Sequence, residues 1–238
     1  MSKYFELLQQ VVKNRGPSPL VTWVSDMGRI ELSTVTFANA VSKASNFLID
    51  GLELNEDRSI GIELGNHWQS PVWLGTGLAT GIKVTDETNA TRFGTLAAAQ
   101  DWAGDTEDFV VVSQHPFGMP DKDIPSGFIN GSAEVRNFGD YFAPTWPVAP
   151  NEIVLVAGDK EFTWDQLVAH SLELANQYEI KAEQTYGLQG ISDLLTKTAL
   201  QVVLPMINQN SVVLIDQVDP DLAAIKKQEK IEQIVLLG

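Results

Sequence analysis

An internal duplication constrains the fold of this chain more than any other feature of its sequence. Residues 28–87 and residues 158–217 each span 60 positions and lie 130 positions apart. At this offset three pairs of similar residues align: Glu31 with Glu161, Ser33 with Thr163, and Asp86 with Asp216. Because two packed α/β units require a matched order of apolar segments, the duplication predicts two related α/β subdomains.

The first copy shows the order of elements most clearly. A helix is predicted after Ser33 or Thr34 and runs to Ile49, and alternating apolar residues predict a strand over residues 60–64. A helix over residues 68–80 follows, Gly81 ends it, and a buried strand begins at Ile82. A strand, helix, strand unit of this length implies parallel pairing with a right-handed connection.

The second copy repeats this order. Thr163 with Gln166 forms a capping box, which predicts a helix over residues 164–178. Strands are expected at residues 152–156, 160–162, 185–188, 211–215 and 234–237, and helices at residues 193–208 and 222–230.

The remaining segments complete the predicted organisation. A helix from Tyr4 ends at Gly16, and a hairpin follows with strands at residues 20–24 and 29–32. A helix from Ala97 and a strand over residues 109–112 precede a Pro-rich connector, in which residues 140–142 are expected to form a short helix. We therefore predict an α/β protein with two pseudo-symmetric subdomains, whose mostly parallel sheets are flanked by helices. The predicted division is a first subdomain at 1–112, a connector at 113–150 and a second subdomain at 151–238.

The charge of the chain excludes one class of partner. Its 16 Lys and Arg residues form no basic stripe, and the net charge is -15, whereas binding to a nucleic-acid backbone requires clustered cations. Without cysteine there is no disulfide framework or thiolate chemistry, and no apolar run is long enough to span a membrane. We expect a soluble, cytoplasmic protein with no nucleic-acid or membrane partner.

Four short segments resemble the opening of the adenylate-forming superfamily, whose members include acyl-CoA synthetases and luciferases. They are Leu32-Ser33, Glu56-Asp57-Arg58, Gly65-Asn66-His67 and Gly81-Ile82-Lys83-Val84. The layout of residues 164–237 is similar to that of the companion subdomain, so short relatives made only of these two subdomains look most similar. The resemblance implies the fold of the N-terminal part of these enzymes, which activate carboxylates with ATP.

The chain departs from this superfamily where ATP chemistry is expected. The Ser-, Thr- and Gly-rich phosphate loop should lie near residues 151–164, but that segment has a single glycine, Gly158, which cannot supply several consecutive amides to a triphosphate. The superfamily's tyrosine-glycine-threonine-glutamate segment is not found, and we expect the C-terminal lid to be absent as well. The sequence therefore predicts a noncatalytic relative with no catalytic residues and no cofactor.

Two alternatives stay open at this point. The crevice between the subdomains could bind a nucleotide or acyl ligand, such as AMP, ATP or a CoA-type molecule. The chain could instead be a regulatory or interaction protein, or a homodimer, which the six tryptophans favour.

The candidate ligand-binding residues are Asn66, His67 and Gly187, because they lie at or near the ends of predicted strands, where open α/β sheets place ligands. The competing interpretation of His67 is a loop histidine that packs beside Trp68. The glycine-containing run at residues 75–81 lies late in a helix and indicates close helix packing rather than a dinucleotide loop.

The other polar clusters predict no active site. No Gly-x-Ser-x-Gly elbow is present, and the histidines His67, His115 and His170 have no metal-ligand spacing, so no metal is expected. Two acidic clusters are interpreted as solvated loops: Asp216, Asp219 and Asp221, and Asp105, Glu107 and Asp108.

Overall fold

The duplication is visible as two sheets in a computed structural model, which describes residues 1–102, 104, 109–149, 151–190 and 192–237. The helices are α1 (Lys3–Arg15), α2 (Thr34–Asn46), α3 (Gln69–Thr80), α4 (Leu96–Gln100), α5 (Gly131–Glu134), α6 (Trp164–Gln177), α7 (Leu194–Thr198), α8 (Leu204–Ile207) and α9 (Leu222–Gln228). The strands are β1 (Pro19–Ser25), β2 (Gly28–Ser33), β3 (Ser59–Glu63), β4 (Lys83–Thr85), β5 (Thr91–Gly94), β6 (Phe109–Val111), β7 (Ile129–Asn130), β8 (Ile153–Ala157), β9 (Lys160–Thr163), β10 (Thr185–Gln189), β11 (Ser211–Asp216) and β12 (Gln233–Leu236). Short π-helical turns extend α2 and join α7 to α8.

The two halves of the chain exchange hairpins. One sheet has the order β12-β10-β11-β1-β2, and the other has the order β7-β6-β5-β3-β4-β8-β9. The β1–β2 hairpin therefore completes the sheet of the second half by pairing β1 in parallel with β11, and the β8–β9 hairpin completes the sheet of the first half by pairing β8 in parallel with β4. The pseudo-symmetry is thus confirmed, but neither sheet is built from one continuous stretch of chain. The boundaries at 112 and 150 stay a prediction.

The helices form layers between and outside the sheets. Helix α2 packs on β1 and β2 and on α3, which in turn packs on β3 and β4 of the other sheet. Helix α6 likewise packs on β8 and β9 and on the turn that joins α7 to α8. One large apolar cluster includes residues from both sheets and these helices, while α9 and α4 cover parts of the outer faces. The predicted class of mostly parallel sheets flanked by helices is confirmed.

Local sequence signals set the helix ends. Ser33 caps α2 through its side chain, and Thr163 and Gln166 form the expected capping box at α6. Gly81 ends α3 in the left-handed conformation with φ 82, as the sequence predicted.

Strand β5 was not predicted, because a charged residue interrupts its short apolar pattern. Arg92 lies in the middle of β5 and is only 5% exposed. Its guanidinium contacts the Glu63 carboxylate at 3.0 Å and donates to the carbonyl oxygens of Asp86 at 3.1 Å and Glu87 at 2.5 Å. Gly61 lies opposite Arg92 in the register of β3 and β5, and its missing side chain leaves the space that the guanidinium fills.

The connector differs from its prediction at residues 140–142, which form a bend and irregular backbone rather than a helix. The Asn46 side chain donates to the carbonyl oxygens of Gly139 at 3.0 Å and Tyr141 at 2.8 Å, and these bonds hold the segment against α2 instead of within a helix. The connector also contains β7 and α5, which its prolines concealed. No helix among the described residues combines the length and apolar character that crossing a bilayer requires.

We predict that Gly61→Ala lowers the free energy of unfolding by about 1–3 kcal/mol, because overpacking a filled core has a cost of this size. A Cβ at Gly61 would lie 2.9 Å from Arg92 Cδ, and the three contacts of the guanidinium hold it in place. The measurement is urea unfolding monitored by tryptophan fluorescence. Gly139→Ala is the matched control, since a Cβ there meets no atom within 4 Å. Equal stability of the two variants would contradict the packing described for β3 and β5.

Candidate functional site

The strand ends of the two sheets meet at Asn66, just after β3. Its carboxamide is 5% exposed and donates to the carbonyl oxygens of Leu188 in β10 at 3.1 Å and Ile215 in β11 at 3.0 Å. Its oxygen accepts a hydrogen bond from Gln201 Nε2 at 3.1 Å. One side chain thus joins β3, β10, β11 and the helical segment between α7 and α8. Both of its amide protons are used within the protein.

His67 is also enclosed between the two sheets. Its ring is 1% exposed and meets the edge of Trp23 of β1 at a centroid distance of 4.6 Å. Nδ1 accepts from the Gln69 backbone N–H at 3.3 Å, while Nε2 is enclosed and has no hydrogen-bond partner among the described residues. Burial lowers the pKa of His67 to about 4, against an opposing effect of the Gln114 backbone. The imidazole is therefore neutral near pH 7.

Gly187 lies in the middle of β10 rather than after its end. Its missing side chain faces Ile215, Ile231 and Ile234, on the side of the sheet that α9 covers. Asn66 and His67 are neighbours just after β3, whereas Gly187 lies within β10 and faces the side that α9 covers. The ligand roles of these three residues stay predictions.

A buried lysine that the sequence analysis did not select lies near Glu63, at the end of β3. Lys197 of α7 is 8% exposed, and burial lowers its pKa, while the carboxylates of Glu63 and Asp193 act in the opposite direction. Lys197 and Gln201 stand four positions apart on one helical face. Their spacing within a largely apolar helical segment was the available sequence signal, since buried polar groups require partners.

The β8–β9 turn occupies the segment where the resemblance placed a phosphate loop. The turn consists of two residues, Gly158 and Asp159, with Gly158 in the left-handed conformation at φ 58. The Gly158 N–H points at the Asp86 carboxylate, whose oxygens lie 3.0 and 3.1 Å from the nitrogen. This amide is therefore already bound by an anion of the protein itself.

The glycines of residues 75–81 pack closely, as the sequence predicted. A Cβ at Gly77 of α3 would lie 2.5 Å from Val84.

The two other histidines lie apart from His67. His115 is exposed on a loop, and His170 lies 3.7 Å from Glu173 on α6. Within the part of the chain that the structure describes, no three His, Asp or Glu side chains are grouped to hold a metal ion. The cluster of Asp105, Glu107 and Asp108 lies outside the described residues.

In the acidic cluster at the end of β11, Asp216 and Asp221 have separate partners. The Asp216 carboxylate accepts a hydrogen bond from Trp23 Nε1 at 3.1 Å, and Asp221 caps α9 by accepting from the Ala224 N–H at 3.0 Å. Partial burial raises the pKa of Asp216, which the Trp23 hydrogen bond opposes and the nearby Asp26 carboxylate reinforces.

Comparison with known proteins supports the fold but no specific activity. No family model matches the chain. A Mycobacterium tuberculosis protein, described as a member of a numbered family, is 29% identical over 148 residues, which are 58% of this chain and 61% of the relative. The crystal structure of an acyl-CoA synthetase from Brucella canis matches with a TM-score of 0.78 at 11% identity and covers 99% of this chain and 47% of that chain.

The chain thus spans less than two thirds of the length of each of these two proteins. The structural match confirms the resemblance to adenylate-forming enzymes at the level of the fold, and it places the whole described chain within that fold.

We predict that Asn66→Ala lowers the free energy of unfolding by at least about 2 kcal/mol. Three buried groups lose their partner, and each unsatisfied group costs roughly 1–3 kcal/mol. Chemical denaturation measures the change. The control is Asn137→Ala, which removes an exposed side chain that donates to the Glu134 carboxylate and should change stability by less than about 0.5 kcal/mol. An Asn66→Ala protein as stable as this control would show that the carboxamide does not join the sheets.

The buried His67 predicts a dependence of stability on pH. Below about pH 6.5 the unfolded chain takes up a proton at this histidine, whereas the folded chain does so only near pH 4. Stability should therefore fall as the pH is lowered through this window, by up to about 1.4 kcal/mol per pH unit. In His67→Gln this contribution is lost. The free energy of unfolding of the wild-type chain minus that of the variant should therefore be constant above pH 7 and decrease below it. Parallel curves from about pH 7 to pH 4 would contradict the burial of a neutral imidazole.

Proposed function

We propose that this chain is a noncatalytic relative of the adenylate-forming enzymes, a two-sheet scaffold that does not use ATP. The observation that carries this proposal is the β8–β9 turn. In the position expected for a phosphate loop, the chain makes a two-residue hairpin turn, and both of its strands belong to the seven-stranded sheet.

The geometry of this turn disfavours a polyphosphate. A phosphate loop presents several consecutive backbone N–H groups to one anion, and a two-residue turn is too short to form such a loop. The Gly158 N–H is already bound to the Asp86 carboxylate. A phosphate at this position would have to displace that carboxylate and would be repelled by it, since both groups are anionic.

The charges near the end of β3 support the same conclusion. Lys197 is buried, and the carboxylates of Glu63 and Asp193 act on its charge. Arg92 is buried and already engaged by Glu63 and two backbone carbonyl oxygens. The carboxylates near these two cations weaken their attraction for a nucleotide.

The alternative, a nucleotide- or acyl-binding crevice, has less support. The carboxamide of Asn66 bonds to two strands and to Gln201, and His67 is enclosed against Trp23. A ligand that used these side chains would have to break bonds that join the sheets.

We predict that the purified chain does not exchange radiolabelled pyrophosphate into ATP with any member of a panel of short-, medium- and long-chain carboxylates. An acyl-CoA synthetase assayed in parallel is the positive control. Asp86→Asn removes the carboxylate charge at the turn, and it should leave exchange undetectable because the turn still lacks a row of amides. Carboxylate-dependent exchange by the wild-type chain above the no-enzyme background would refute the proposal. Exchange gained only in Asp86→Asn would show instead that the carboxylate, not the short turn, blocks ATP.

A further inference from the structure

The buried lysine of α7 has no bonding partner among the described residues. Lys197 is 8% exposed, and the other lysines of the described chain are all more exposed. The carboxylates of Glu63 and Asp193 act on its charge through space, and neither forms a hydrogen bond or an ion pair with it. The three donor protons of this ammonium group are therefore unused, whereas buried charged groups are normally paired.

Arg92 shows how the same region of the fold compensates a buried cation. It is 5% exposed, and its guanidinium contacts the Glu63 carboxylate at 3.0 Å and two backbone carbonyl oxygens. Asp193, the second carboxylate near Lys197, caps α7 by accepting a hydrogen bond from the Thr196 N–H at 2.9 Å. Both carboxylates thus have other partners, and the Lys197 amine is left without one.

An unpaired amine in this position is a nucleophile. Burial lowers the pKa of Lys197, and the carboxylates of Glu63 and Asp193 oppose this effect. The uncharged amine is therefore more populated near pH 7 than in an exposed lysine, and a desolvated lysine amine readily attacks carbonyl carbon. Lys197 Nζ is not among the fully enclosed side-chain atoms that have no partner, so a small molecule can reach it.

The two carboxylates select the class of reaction partner. Glu63 and Asp193 repel an anionic reagent, so a neutral one is favoured. Acylation would remove the positive charge of Lys197, which these carboxylates stabilise. Condensation with an aldehyde instead gives an iminium ion, which keeps that charge. The low exposure of the side chain restricts the aldehyde to a small one.

We propose that Lys197 binds a small neutral aldehyde covalently and reversibly, as an iminium ion. The lone pair of Nζ forms a bond to the carbonyl carbon, and a proton moves from the nitrogen to the oxygen to give a carbinolamine. Solvent then supplies one proton, the hydroxyl group leaves as water, and the carbon–nitrogen double bond remains. Addition of water reverses the sequence. This site does not depend on the absence of ATP chemistry.

The test treats the whole chain at pH 7 with propanal and cyanoborohydride, which reduces an iminium ion to a stable secondary amine. Digestion with a glutamate-specific protease and mass spectrometry give the initial rate of alkylation at each lysine. Lys197 should react at least about fivefold faster than the exposed Lys181, because its amine is desolvated. In urea the ratio should fall to about one, since both lysines then have ordinary pKa values.

Glyoxylate, an anionic aldehyde of similar size, tests the charge selection. The ratio of Lys197 to Lys181 alkylation should be at least about threefold lower with glyoxylate than with propanal, because two carboxylates lie near Lys197. Asp193→Asn should reduce this difference between the probes, and asparagine can still cap α7.

Variants assign the reaction to one residue. In intact-mass spectra of the wild-type chain, one fast addition of propanal should precede the slower ones. This fast addition should disappear in Lys197→Arg, which keeps the positive charge, and persist in the matched control Lys181→Arg. Alkylation of Lys197 no faster than that of Lys181 in the folded chain, equal ratios for the two aldehydes, or a fast addition that persists in Lys197→Arg would each overturn the proposal.

Discussion

The exchange of two hairpins between the sheets is the constraint on which the rest of this structure depends. Strand β1 pairs with β11, and β8 pairs with β4, so each sheet needs a hairpin from the other half of the chain. Asn66 and His67 lie where the sheets meet, and each contacts strands of the opposite sheet. One apolar cluster extends through both halves. A chain built in this way gains stability only when both sheets form together, because the partner strands and the shared core come from distant segments.

This constraint also bears on function. The β8–β9 hairpin is a structural part of the seven-stranded sheet, and the carboxylate of Asp86, the residue just after the neighbouring strand β4, accepts a hydrogen bond from its turn. The chain therefore keeps the α/β architecture that it shares with an acyl-CoA synthetase, while the segment expected to cradle phosphate is short and bound internally. Fold likeness at 11% identity is compatible with such a change, since chemistry depends on particular loops rather than on the layers beneath them.

The sequence predicted the structural features that depend on neighbouring residues. It missed those that depend on contacts between residues far apart in the chain. Helix caps at Ser33 and Thr163, the stop at Gly81 and the two hairpins follow from local chemistry. The hairpin exchange is a pairing between segments far apart, which a single sequence does not encode in any local pattern. Strand β5 was hidden by Arg92, whose charge is acceptable only because Gly61 leaves space for it. Asn66 was selected as a ligand-binding candidate because the sequence places it after a strand, but its partners on β10 and β11 became visible only in three dimensions.

The most direct test of this account is the backbone amide of Gly158 in a proton–nitrogen correlation spectrum during titration with ATP and magnesium. Our account predicts that the Gly158 resonance stays in place at millimolar ATP and that it moves when Asp86 is replaced by alanine, because the carboxylate is the partner of this amide. A saturable shift of Gly158 and its neighbours on addition of ATP to the wild-type chain would contradict the account, since the turn would then be acting as a phosphate site.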